Sequence, residues 1–496
     1  MKPDFEKLVK KLQTTASIQQ VDRLLGWDEQ VNLPPGSAET RARQMAAMAD
    51  VLYERRTDPE LGNLIDSLIA ESGSLSQDEL RIVKLAKKDF DEEQCLNTEF
   101  VARRASAMSQ SYHAWVEARQ SGNFKSFAPF LQEQIDLAKE YAELCGAENA
   151  YNFWIDKHDP GMSQESITRL FEPLQAELIP IVNTIEASSQ SKPIQDFKDF
   201  PVADQESFLR KVISGLGFDF NQGRLDRSIH PFCSGSGQDI RMTTRFFEDN
   251  PLDSLFSSIH EAGHGMYEQG LPTAWYGTAL GEDAGMGVHE SQSRLWENQV
   301  ARSRPFWKFW ESTYREAFPS QLETLTSEDL YRAVNAVRVI PIRVDSDEVT
   351  YNLHIILRFR LEKQLFSGEI SVEQLPEAWR ALAKEILGLD LTDDTQGCLQ
   401  DVHWSGGAFG YFPSYTLGNM MAAQIWYALE DQIEDLEVQM AQGNFQEILS
   451  WLKENIHAQG RRMNIEELTK QATGHELGHT DLIRYLKERY LPLYAN

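Results

Sequence analysis

Cysteine is scarce: there are four in 496 residues, Cys95, Cys145, Cys233 and Cys398, and no two form a CxxC pair. Such scatter excludes a cysteine metal cage and argues against a disulfide framework, so reduced thiols in core or loop positions are expected. Long apolar runs are missing too. No stretch approaches the ~20 residues that span a bilayer. The segment from Met1 to Ser17 alternates charge with apolar residues and lacks the apolar centre of a secretory signal. Positive charge is outnumbered, with 48 Lys and Arg against 76 Asp and Glu, for a net charge of -28. That balance opposes nucleic acid or an anionic membrane as a partner. Blocks such as Asp89 to Glu93 then read as solvated helix faces. Internal repeats and low-complexity linkers are absent. Together these absences point to a globular cytoplasmic protein.

What is present is an ordinary globular composition, 41% apolar and 25% charged, on a chain long enough for a large core. Helical periodicity dominates. Phe5, Leu8, Val9 and Leu12 share one helix face, as do Leu170, Leu174, Leu178 and Ile181. The tail from Ala422 to Tyr494 is also mostly helical, with Leu429, Ile433 and Leu436 on one stripe. One stretch reads as strand: Ile229 to Cys233 and Ile240 to Phe247 flank Ser234-Gly235-Ser236-Gly237, a β-hairpin with a Gly-rich turn. Ser188 to Asp204, with Pro193 and Pro201, reads as a surface loop. The expected fold is mainly α, a single large helical domain over 1–496 with one small β-sheet. Its approximate parts are a helical N-terminal region (1–200), a central region with the hairpin and further helices (201–420) and C-terminal helices (421–496).

The chemistry concentrates after Asn250-Pro251-Leu252-Asp253, which suits a helix start: Asn at the N-cap, Pro in the first turn, Asp at the positive end of the dipole. Leu252, Leu255, Phe256 and Ile259 then form an apolar face. Next comes His260-Glu261-Ala262-Gly263-His264. Histidines at i and i+4 leave the same side of a helix, so both imidazoles reach one ion. Glu261, one residue round, can take a proton from a water on that ion without being a ligand. A catalytic zinc takes three protein ligands and keeps one position open. Glu290 is a candidate third ligand, and spacing alone does not separate it from Glu282, Asp283 or Glu297. The pattern occurs again at His475-Glu476-Leu477-Gly478-His479. There Thr473-Gly474 interrupts the approach and seventeen residues remain after His479, too few for a second ligand-bearing helix, so no metal role is expected.

Further motifs follow one another in order. They are Trp27-Asp28 with Pro34-Pro35-Gly36 and Arg41, then His230-Pro231-Phe232, Asp239-x-Arg241-x-Thr243 and the HEAGH of 260–264. His289-Glu290-Ser291 with Arg294, and Ile342-Arg343 with Asp347, come next. Gly397-x-x-Gln400-Asp401-x-His403-Trp404 and Gly410-Tyr411-Phe412-Pro413-Ser414-Tyr415 close the set. In this combination the chain resembles the Taq-type (M32) metallocarboxypeptidases over nearly its full length. The resemblance implies a zincin fold with a long, deep channel, like that of the neurolysin and angiotensin-converting-enzyme relatives. It also implies removal of single residues from peptide C-termini, one zinc (or cobalt) ion per chain, and a homodimer. It carries the third-ligand role onto Glu290. Ser346 and Ser414 depart from the family's Ala and Thr, and the second HExxH stands where the family has a Gly-Glu-Pro-Leu-Asn-Pro-like run.

Physical roles can be given to the remaining motif residues. The oxyanion of a tetrahedral intermediate needs a hydrogen-bond donor facing the metal, and Tyr415 is the candidate, with His403 second. A terminal carboxylate is read by a guanidinium fork; Arg343 and Arg241 are the candidates. The structural alternatives are ion pairs of Arg343 with Asp347 and of Arg241 with Asp239. Asp239 and Thr243 join Arg241 as substrate-binding candidates, and Thr243, on the second strand of the hairpin, is expected to offer backbone groups to an extended peptide as in strand addition. His230 and His289 read as supporting or core histidines, and Trp404 and Phe412 as packing. An oligopeptidase on the same fold would need no carboxylate-binding arginine, and a non-catalytic scaffold would need no Glu261.

Overall fold

Helices make up most of the computed structural model, which describes residues 3–190 and 197–495, and one three-stranded sheet occurs among them. Contacts divide the chain into two units that interleave along the sequence. One comprises Met1–Gln94, Gln195–Val334 and Ala422–Glu476; the other comprises Cys95–Ile194, Asn335–Met421 and Leu477–Asn496. No helix among the described residues is long and apolar enough to cross a membrane.

The first unit opens with helix α1 (Pro3–Val31). Its period puts Phe5 and Leu8 into a core with Leu61, Ile65, Leu68, Ile82, Val83, Ala86 and Leu280, while Val9 and Leu12 pack on the margin. Each fully buried side chain of this kind contributes about 1.5–3 kcal/mol. The helix Pro59–Ala70, which supplies three of these residues, starts on Asp58, whose side chain accepts from the Glu60 amide, with Pro59 at the first position.

The sheet consists of β1 (Gly223–Arg227), β2 (Phe232–Ser236) and β3 (Asp239–Thr244) in the order β1-β3-β2. The expected hairpin is β2-β3, antiparallel, but Ser234 to Ser236 are strand and the turn is displaced to Gly237-Gln238. Gly237 stands at φ +61°, a conformation that favours glycine. β1 pairs in parallel with β3. Sequence reading missed it because Leu225 is its one apolar residue and a parallel partner is never local. Ile240 and Met242 on β3 are fully buried. Helices α2 (Pro251–Gly270) and α3 (Met286–Arg294) follow, α3 running on into a π-helical turn, Leu295–Val300.

In the second unit, helices Thr98–Ser121 and Phe124–Leu144 form a hairpin. The expectation of four reduced thiols is corrected here, since Cys95 and Cys145 form a disulfide with Cα atoms 5.1 Å apart. The hairpin brings together the residues just outside its two ends, a proximity their 50-residue separation conceals. Cys233 and Cys398 are free. Helix α4 (Glu348–Ser367) is buried on nearly every side and carries Asn352, His354, Arg358 and Glu362 inside. Asp347 caps it, accepting from the amides of Val349 and Thr350. Helix α5 (Phe412–Gln432) contributes its N-terminal half to this unit.

Two further readings are refined. The stripe through Leu429, Ile433 and Leu436 is interrupted: α5 stops at Gln432, and Asp435 turns the chain at φ +52° before a short helix, Leu436–Ala441. Of the loop expected over 188–204, Pro193 lies outside the described residues, Phe197 and Phe200 are buried, and a helix already begins at Val202.

Candidate metal centre

Pro251 opens α2, and Asp253 in its first turn accepts two hydrogen bonds from Arg245, each 3.0 Å. Leu255, Phe256, Ile259, Ala262 and Met266 bury the apolar face. Gly263 lets a second helix come close: a Cβ there would lie 2.6 Å from Ser293 Cα and 2.7 Å from the Gln292 carbonyl oxygen. Backbone therefore touches backbone where α2 crosses α3, and Glu290 is carried up against the two histidines.

Nε2 of His260 lies 3.6 Å, and Nε2 of His264 3.5 Å, from the same oxygen, Oε2 of Glu290. The three donor atoms fall within 4.8 Å of one another, the one such group among the described residues. Two ligands each ~2.1 Å from a tetrahedral ion stand ~3.4 Å apart, close to both histidine–Glu290 distances. The donors' other sides are occupied. His260 Nδ1 meets Oε2 of Glu297 at 2.9 Å. His264 Nδ1 lies 2.6 Å from Nδ1 of His289, whose Nε2 is 3.2 Å from Glu268. Arg294 donates to Oε1 of Glu290 at 2.6 Å and to Glu297 at 3.1 Å, while Ser293 Oγ donates to Glu290 at 3.2 Å.

Of the acids that spacing left open, Glu282 is paired with Arg461 at 3.1 Å, and Asp283 accepts from the amide of Gly285. Glu297 faces the wrong nitrogen of His260. Although burial raises the Glu297 pKa, Arg294, the His260 hydrogen bond and Arg302 outweigh it and hold the carboxyl well below the usual range. Glu261 has no such cation. Burial, partly countered by His260 and reinforced by Glu290, pushes its pKa up to about 7. His264 is held neutral by burial together with the nearby His289, His260 and Arg294. A neutral ring and a poised carboxyl suit a cation site with a general base beside it.

The second HExxH builds nothing similar. Its approach helix, Ile465–Thr473, ends on Gly474 at φ +80°, and residues 474–479 are not helical. Glu476 pairs with Lys470 and His479 with Glu177.

Within the same unit as the metal group, Arg241 is bonded to Asp239 through two contacts of 3.0 and 3.2 Å and stacks on Trp27, 4.3 Å from the ring centroid. This is the ion pair set beside its carboxylate-reading role. The expectation for Thr243 is corrected. β3 is the middle strand, Thr243 pairs with Asp226 on one side and Phe232 on the other, and the residue is fully buried, leaving no backbone group for a peptide. Its hydroxyl accepts from the Phe232 amide. His230 is exposed, not a core residue.

In the second unit, Arg343 is paired with Asp401 rather than Asp347: Nε and Nη2 stand 3.0 and 2.9 Å from Oδ1, and Nη1 donates to the Tyr351 hydroxyl. Arg358 takes the other oxygen of Asp401 at 2.6 Å and also donates to Gln400. All three charged groups are buried, so two guanidiniums share one carboxylate. Burial pulls the Arg358 pKa down to about 10. For Asp401, burial acts upward, yet Arg358 and Arg343 hold it well below the carboxylate range. Sequence reading quoted Asp401 without a role and missed Arg358, which carries no motif signal on a helix buried on nearly every side. Tyr415 lies in the first turn of α5, its hydroxyl 3.4 Å from His403 Nε2 and its ring 5.3 Å from the Arg343 guanidinium. Burial holds His403 near a pKa of about 4 and hence neutral. Trp404 is packing of a particular kind, donating at 2.6 Å to the buried Glu362.

Residues 7–490 match the family model described as carboxypeptidase Taq (M32) metallopeptidase. Among curated proteins, thermostable carboxypeptidase 1 of Thermus thermophilus is 38% identical, with 99% of each chain covered. Carboxypeptidase 1 of Bacillus subtilis is 37% identical, with 95% of each covered. Among solved structures, the M32 carboxypeptidase of Deinococcus radiodurans superposes with a TM-score of 0.96 at 40% identity, covering 99% of this chain and all of that one.

Proposed function

Because the chain belongs to the carboxypeptidase Taq (M32) metallopeptidase family, we propose that it is a metal-dependent carboxypeptidase that releases single residues from the C-termini of peptides. The observation that carries the proposal is the convergence of His260, His264 and Glu290 beside a buried acid, Glu261, whose pKa stands at about 7. Two imidazole nitrogens and a carboxylate oxygen are a zinc donor set, with cobalt the alternative. A bound cation of this kind lowers the pKa of water and polarises a carbonyl.

The chain's own residues do the rest. Glu261 accepts the proton of the attacking water and returns it to the departing amine, a task for which a pKa near neutrality is best matched. Tyr415, a phenol beside a neutral His403, donates a hydrogen bond to the oxyanion. Arg343 reads the terminal carboxylate. Supporting this, Arg343 and Arg358 together carry one more positive charge than Asp401 cancels, and a buried surplus charge attracts an anion more strongly than one in water.

The test is a metal-loaded digest of one peptide in two forms, read by mass spectrometry. With a free C-terminus it is trimmed stepwise. With an amidated C-terminus it is cut at least about tenfold more slowly, since a charge-assisted hydrogen bond contributes roughly 1.5–3 kcal/mol. Internal cleavage of the amidated peptide at an equal rate refutes the proposal in favour of an oligopeptidase.

A further inference from the structure

The two candidate metal histidines are supported by different chemistry. His260 Nδ1 faces a carboxylate, Glu297, itself held by Arg294 and Arg302. His264 Nδ1 faces another imidazole, His289, at 2.6 Å. Two ring nitrogens at that distance share one hydrogen: one carries it and the other offers its lone pair. On its far side, Nε2 of His289 lies 3.2 Å from Glu268, and a carboxylate only accepts. A histidine that offers Nε2 to a cation carries its hydrogen on Nδ1, so His264, whose Nε2 is 3.5 Å from Glu290, would donate from Nδ1 to His289, and His289 from Nε2 to Glu268.

We propose that His289 and Glu268 are positioning residues that hold His264 in the tautomer and ring orientation a metal needs. The assignment rests on His264 being a metal ligand, as argued above. The layout favours it. Glu268 lies one turn beyond His264 on α2, so both leave the same face, while His289 reaches across from α3 beside Glu290. Tyr267 meets the His289 ring in a T-shaped contact, ring centroids 5.1 Å apart. The chain of contacts runs from α2 to α3 and back, fixing the ring that must not rotate. Neither residue touches the reacting atoms.

The experiment titrates metal-free protein with Zn2+ against a competing chelator. The wild-type chain takes up one equivalent. His289→Phe, which keeps a ring but removes the acceptor, weakens zinc binding by about 10–100-fold, the scale for losing such a support. His289→Asn, whose Oδ1 stands where Nδ1 stood, recovers most of that loss. Glu268→Gln, at a half-buried position that tolerates the change, weakens binding in the same direction. In zinc-loaded wild-type protein, 15N NMR places hydrogens on His264 Nδ1 and His289 Nε2. Zinc affinity unchanged in both His289→Phe and Glu268→Gln overturns the assignment, as does a hydrogen on His289 Nδ1, which needs no variant to fold. A wild-type chain that takes up no zinc overturns the metal-centre reading and this assignment with it; one equivalent in wild type with unaltered variants overturns this assignment alone.

Discussion

Gly263→Ala adds one methyl group where the metal centre has no room for it. That carbon would lie 2.6 Å from Ser293 Cα and 2.7 Å from the Gln292 carbonyl oxygen. Ordinary contact begins near 3.4 Å, so α2 and α3 must part by about 0.8 Å. No side-chain rotation relieves the clash, since both neighbours are backbone. Overpacking of this sort costs about 1–3 kcal/mol. The larger effect is on the metal, because Glu290 sits in the same helix as Ser293 and moves with it. Metal-ligand distances tolerate changes of about 0.2 Å, several times less than the shift required. We expect zinc affinity to fall at least about tenfold, read by chelator competition, with a lower melting temperature by calorimetry. Gly265→Ala is the control. Its methyl would meet the side chains of Phe218 at 2.7 Å and Ile240 at 3.2 Å, which can shift, so stability should drop while zinc affinity is kept. Wild-type affinity in Gly263→Ala, or equal losses of affinity in both variants, would refute the claim that this glycine sets the approach of Glu290.

Three further outcomes are expected. Glu261→Gln should keep its zinc and lose a factor of about 10² or more in kcat, the scale of general-base catalysis; near-normal turnover removes Glu261 from the mechanism. Asp401→Asn leaves two buried guanidiniums without their anion and should cost about 3–5 kcal/mol in denaturant unfolding. The pH dependence has a definite sign: the folded pKa of Asp401 is depressed, so its contribution is present above the unfolded value of about 3.9 and is lost as pH falls through the folded one, and the variant should lack that part of the acid-side loss. His475→Ala combined with His479→Ala should leave zinc stoichiometry and activity unchanged, and a second zinc released by this pair in the wild-type chain would contradict the reading.

What could be read from the residues depended on how local the determinant was. Histidines at i and i+4 need nothing but a helix, so His260 and His264 were legible at once, as was the helix start at Asn250-Pro251. The hairpin was legible apart from its turn; β1 was not, because parallel pairing is set by the rest of the fold. The same holds for Cys95 and Cys145, joined by the return of a helical hairpin. Thr243 was placed on the right strand and given the wrong exposure, since a strand's neighbours, and not its own residues, decide whether it is an edge. Arg358 and Glu362 lie on a helix buried on nearly every side, which leaves no amphipathic stripe to mark them.

The choice between Glu290 and Glu297 shows where reading residues stops and geometry begins. The two are seven residues apart on α3 and its π-helical extension, so both face α2, and no periodicity argument can rank them. What separates them is the atom each meets. Glu290 stands 3.6 and 3.5 Å from the Nε2 atoms of the two histidines and completes the candidate donor set with them, while Glu297 stands on Nδ1 of His260. Charge reinforces the division. Glu297 accepts from Arg294 and Arg302 together, so it is an anion already spoken for, whereas Glu290 shares Arg294 and keeps Oε2 toward the histidines. Seen this way, Arg294 is part of the selection: by bonding Oε1 of Glu290 it leaves the other oxygen as the one the histidines face.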